Sequence, residues 1–136
     1  MGEIPSSAAT VRIDADDPSQ PTGLSMQVAE LDGDGIPDLA VAAPSDLYFS
    51  RERPGLLYVF PGPFGPGTLD PATDAAVVYE DDLFAANMGD RLAGCDLDGD
   101  GDDELVIGSP AASWADAPSA GRLQIVDGGP WRLPDD

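Results

Sequence analysis

The chain has 136 residues, 26 of them Asp or Glu and only six basic, all Arg, for a net charge of −20. So acidic a surface excludes nucleic-acid binding, which needs basic patches, and disfavours anionic membranes; it also suits solubility in a saline habitat. There is no His, so the commonest general base and zinc ligand is missing, and a single Cys cannot form an intrachain disulfide.

Taken in order, the first expected strand is Thr10–Asp14, where Val11 and Ile13 alternate with polar neighbours. The second spans about Ser25 to Ala29 and leads into Glu30-Leu31-Asp32-Gly33-Asp34-Gly35-Ile36-Pro37-Asp38. The third, Leu39–Ala42, is a short, continuously apolar run that suits a strand buried on both faces. The fourth is Leu56–Phe60, and Pro61–Gly67 then reads as a stiff connecting loop. The series repeats without a gap at an offset of 66: strands Ala76–Glu80, Arg91–Cys95, Leu105–Gly108 and Arg122–Val126. Pro5, Gly23, Pro44, Gly55 and Gly62 match Pro71, Gly89, Pro110, Gly121 and Gly128. This is a tandem duplication, with units 4–69 and 70–136. No window has useful helical periodicity, and 14 Pro with 16 Gly argue against long helices.

The loops carry the chemistry. Glu30, Asp32, Asp34 and Asp38 stand at positions 1, 3, 5 and 9 of the first, and Asp96, Asp98, Asp100 and Glu104 at the same positions of the second. Glycines at positions 4 and 6 allow the sharp turn that lets alternating side chains converge. Carboxylates so close repel one another without a counter-ion. A hard cation taking six to eight oxygens at about 2.3–2.6 Å fits them, and that cation is Ca2+, one per repeat. Position 7, Ile36 or Asp102, contributes a backbone carbonyl. An EF-hand or a dockerin-type module is excluded: position 12 is Val41 or Ile107 rather than Glu, and the flanks read as strand. Carboxylates this tightly clustered suit a metal better than the paired acids of a glycosidase. No catalytic residues or enzyme activity are expected.

Four short strands per unit suggest the blade of a β-propeller. The chain resembles the FG-GAP repeat, the blade unit of integrin α-subunit heads and of many bacterial surface proteins. The resemblance is carried by Gly23, the acidic loop 30–38, Leu39–Pro44 and Gly55–Phe60, and by Gly89, loop 96–104, Leu105–Pro110 and Gly121–Val126. Ala42-Ala43-Pro44 and Gly108-Ser109-Pro110 stand at the family's Gly-Ala-Pro. The family's Phe-Gly pair has Thr22 or Met88 in place of Phe; Glu30 and Glu104 replace Asp.

The expected fold is therefore all-β: two tandem four-stranded antiparallel β-propeller blades with calcium-binding loops, closing into a full propeller by homo-oligomerisation. Strand Ala76–Glu80 should complete the first blade, leaving Thr10–Asp14 to complete the second blade of a neighbouring copy; three chains would give six blades, four would give eight. The competing arrangements are an excised fragment of a larger propeller and two blades facing each other about a pseudo-twofold axis. The resemblance implies an extracellular or cell-surface, integrin-like interaction or adhesion module. A carbohydrate-binding propeller, or an accessory domain of a secreted polysaccharide-active enzyme, is the alternative. Loop Ser45–Pro54, with Tyr48, Phe49, Arg51 and Arg53, is a candidate protein-binding surface, and Trp114 is the comparable anchor in the second unit. Phe64 and Trp131 are candidates to plug seams, and Cys95, in register with Ala29, to be a small core residue. No run of 18 apolar residues or secretory leader is present, and Met1-Gly2 reads as an added start, so the expectation is a piece of an exported protein.

Overall fold

A computed structural model describes residues 5–15, 22–44, 54–84, 86–114 and 116–129. The loop Ser45–Pro54 (but for the strand position of Pro54) and Trp131 lie outside the described residues. Among those described, no helix is long and apolar enough to cross a membrane.

The first sheet is a four-stranded antiparallel blade in the order β2 (Ser25–Ala29), β3 (Asp38–Ala43), β4 (Pro54–Phe60), β6 (Val77–Phe84). As expected, its outermost strand is supplied by the second repeat. β3 is buried on both faces except at half-buried Leu39, which is why its apolar run lacks alternation. The second sheet holds β7 (Arg91–Cys95), β8 (Glu104–Ser109) and β9 (Arg122–Val126), paired antiparallel. Among the described residues it has three strands rather than four, whereas the fourth strand of blade one, β6, is supplied by the repeat that follows it.

The N-terminal strand β1 (Val11–Ile13) pairs parallel with β5 (Gly67–Leu69), a strand unforeseen in the sequence. After β5 comes a single helical turn, α1 (Pro71–Asp74), also unforeseen. Its signal was present: Asp70 accepts a hydrogen bond from the Ala72 N–H at 2.8 Å, and Pro71 opens the turn.

Two apolar clusters hold the molecule together. One lies between the blades: Ala29, Leu31, Ala40, Ala42, Leu57 and Val59 from the first meet Met88, Leu105 and Ile107 from the second. The approach is close, since a Cβ at Gly94 would stand 2.5 Å from that of Ala29. The other cluster (Val41, Ala43, Tyr58, Phe60) lies on the opposite face of blade one, beneath Ile13, Leu69 and Ala75. Subtracting 66 from Leu105 and Ile107 gives Leu39 and Val41, which lie on that opposite face. The blades thus present different repeat positions to each other, and the pseudo-twofold arrangement is overturned: they stack head to tail.

Candidate metal centre

Each acidic loop is a β2–β3 or β7–β8 connection. Gly33, Gly35, Gly99 and Gly101 have φ of 80°, 81°, 83° and 108°, the left-handed region that a side chain disfavours. The turn brings carboxylate oxygens of Glu30, Asp32 and Asp38 within 4.8 Å of one another, and likewise those of Asp96, Asp98 and Glu104. Ligands of one calcium ion cannot be farther apart than about twice the bond length, roughly 5 Å, so these sets fit. The longer Glu30 and Glu104 both reach their clusters. Asp34 and Asp100 stand outside the three-carboxylate sets; their Oδ1 atoms accept the N–H of Ile36 at 2.7 Å and of Asp102 at 3.0 Å.

The carboxylates also brace the loops. Asp38 is wholly buried, and its two oxygens accept the N–H groups of Leu31 at 2.8 Å and Gly62 at 2.9 Å. Glu104, also buried, accepts the Leu97 N–H at 2.6 Å. Glu30 gathers Gly33 and Asp34, and Asp96 gathers Gly99 and Gly101. The matched pair Gly62 and Gly128 follows from geometry: a Cβ at Gly62 would strike the Pro37 carbonyl, and one at Gly128 the Asp103 carbonyl.

Mutual repulsion shows in the acidities. Loss of solvent, then the charges of Asp38, Asp34 and Glu30, raise Asp32 above the usual carboxylate range. For Asp98 the Asp100 N–H pulls downward, but desolvation and the charges of Asp100, Glu104 and Asp96 outweigh it, and the net direction is up. Asp102 is raised by desolvation and by the facing Glu30.

That last contact joins the two loops across the blade interface. The Asp103 N–H donates to the Glu30 carbonyl at 2.8 Å, the Glu30 N–H to Asp103 Oδ2 at 3.0 Å, and the Gly129 N–H to the Leu31 carbonyl at 3.1 Å. Asp103 is a residue the sequence reading missed. Its signal was the break in the repeat, where Asp102-Asp103 stands opposite Ile36-Pro37.

Other expected residues fall differently. Cys95 is exposed rather than buried, because it lies on the open face of blade two while Ala29 lies between blades. Phe64 is exposed and plugs no seam. Trp114 is half-exposed, with the Arg122 guanidinium 5.0 Å from its ring centroid.

The sequence profile of the FG-GAP repeat matches residues 22–60 and 88–126. Among curated proteins the chain is similar to phosphatidylinositol-glycan-specific phospholipase D of Bos taurus (36% identical over 97 residues), Rattus norvegicus (37% over 95) and Homo sapiens (35% over 97). Each alignment covers 70% of this chain, which spans only 11% of the relative's length. With both matched segments centred on an acidic loop and its flanking strands, the chain belongs to the FG-GAP repeat family.

Proposed function

We propose that this chain is a calcium-stabilised interaction module, working outside the cell as a rigid surface for protein partners, with no catalytic step of its own. The observation that carries this reading is the convergence of three carboxylates in each strand-connecting loop. Glu30, Asp32 and Asp38 would hold one ion and Asp96, Asp98 and Glu104 the other. Asp34, Asp100 and the carbonyls of Ile36 and Asp102 are the candidates for the remaining positions. When bound, calcium supplies the positive charge these loops lack, and two ions would change the formal charge from −20 to −16. The loops adjoin at Glu30 and Asp102–Asp103, so ordering one braces the other.

The match to the FG-GAP repeat, which is typical of extracellular proteins, supports an extracellular setting. The phospholipase activity named for the relatives is not carried over, since the chain corresponds to about a ninth of their length and contains no His. Thermal melting in millimolar calcium and in excess chelator tests the reading. Calcium at a hundredfold excess over its Kd should add about 2.7 kcal/mol per site. Coincident melting curves in the two conditions would remove the metal from the account.

A further inference from the structure

Sequence-equivalent residues have opposite fates in the two blades. Leu31, Leu57 and Val59, between the blades, are 1%, 0% and 0% exposed; their counterparts 66 residues on, Leu97, Leu123 and Ile125, are 54%, 67% and 55% exposed. The open face of blade two therefore carries the residues that blade one uses to bind blade two. The converse holds at the other end. Met26 and Val28, both 60% exposed on blade one, correspond to Leu92 and Gly94, which pack against blade one from blade two. A Cβ at Gly89 would lie 2.5 Å from that of Ala42, whereas nothing lies within 4 Å of one at the equivalent Gly23.

We propose that these two open faces are each other's partners, so that the face of blade two carrying Cys95, Leu97, Leu123 and Ile125 docks on Met26 and Val28 of a second copy of this chain. The contact repeats the interface already formed within the chain. It is heterologous, so successive copies close by rotation into a ring of about three or four. This inference rests on the interaction-module reading and names the partner; it does not depend on the ions.

The N-terminal strand is already in position. β6, the outer strand of blade one, packs Val77 and Tyr79 on the core between the blades, and β1, its equivalent, packs Ile13 on the corresponding core of blade one. In the ring, β1 would exchange its three-residue pairing with β5 for pairing with the edge of β9 that is unpaired among the described residues, in the neighbouring copy. The joint between copies is weaker than the one within the chain. Pro37 stands where Asp103 does, and has neither an N–H nor a carboxylate to offer the neighbour's Asp96. The charge of −20 on each copy adds repulsion, which salt screens.

The geometry supplies its own test. At the copied interface Val28 takes the place of Gly94 and Cys95 that of Ala29, so Val28→Cys sets a thiol against the native Cys95 of the next copy. Side chains on both residues hold them wider apart than the glycine contact does, toward the roughly 3.8 Å Cβ separation of a disulfide. Mild oxidation in calcium at physiological ionic strength should give a reducible ladder ending in one closed species. Ile125→Arg added to Val28→Cys should abolish it. Free thiols in the oxidised variant overturn the proposal, as does a dimer formed equally by the parent through Cys95 alone. Should Val28→Cys fail to fold, light scattering of the parent decides: a mass of three or four protomers that Ile125→Arg reduces to one supports the ring, and a parent at protomer mass overturns it. Loss of crosslinking with calcium-dependent melting intact removes this inference alone; the reverse removes the metal alone.

Discussion

Asp38 and Asp34 show how two carboxylates of one loop do different work. Asp38 is buried and takes two backbone N–H groups, one from its own loop and one from Gly62 beyond β4. Truncation would leave the buried Leu31 N–H and the half-buried Gly62 N–H without their acceptor, and a buried unsatisfied group costs about 1–3 kcal/mol. Asp38→Ala should therefore lose about 3 kcal/mol or more in chelator, and more again in calcium, because the same carboxylate is one of the three that would hold the ion. Asp34 is exposed, and among the described residues its carboxylate accepts just the Ile36 N–H. Asp34→Ala should cost about 0.5 kcal/mol or less in chelator, as surface changes do, and about 2 kcal/mol in calcium through lost linkage. Urea melts of both variants with and without calcium check this contrast, and equal losses for Asp34→Ala in the two conditions would contradict it. The acidic positions were legible in the sequence because their spacing repeats. The division of labour was not, since it depends on a Gly62 N–H arriving from 24 residues away.

Among the elements, β6 and β9 are tied by an arginine. Arg122, at the start of β9, reaches across to the paired Asp81 and Asp82 of β6 while its guanidinium stacks on Trp114. Burial raises Asp81, and the hydrogen bond from Arg122 lowers exposed Asp82. Arg122→Ala would leave the fully buried Asp81 side chain without its counter-charge, and should cost about 2–3 kcal/mol. Arg122→Lys should recover only part of that, because an ammonium cannot reproduce the stacking of the planar guanidinium on Trp114. Denaturant unfolding of the pair is the check; full recovery by Lys would reduce the contact to simple charge. The blade strands were readable from alternation and apolar runs. β5 was not, because Gly67-Thr68-Leu69 follows a Pro- and Gly-rich stretch and takes its partner, β1, from 56 residues upstream.

For the whole molecule the acidic excess sets the response to pH, and its sign depends on calcium. Asp32, Asp81, Asp98 and Asp102 are raised in the folded chain, so between their unfolded and folded values the native state holds more protons. Stability then falls as pH rises through that window and returns as pH drops. Asp82, depressed, works in the opposite sense as a single surface group. In chelator the Tm should rise on acidification into the window just above the ordinary Asp value of about 3.9. In calcium it should fall over the same range, because protons compete with the ion for the same oxygens. Calorimetry at several pH values reads both slopes, and parallel slopes would mean that protons and calcium do not share those groups.

By itself the sequence determined the repeat, the blade strands and the acidic loops, because each is written in local spacing: period 2 in strands, odd positions in the loops, and 66 between copies. Only the tertiary structure decided that the blades stack head to tail, that Asp103 ties one loop to the other, and that Cys95 is exposed where Ala29 is buried. Sequence-equivalent residues differ there only in whether another blade stands against them. That difference is a matter of neighbours in space, which no local pattern records.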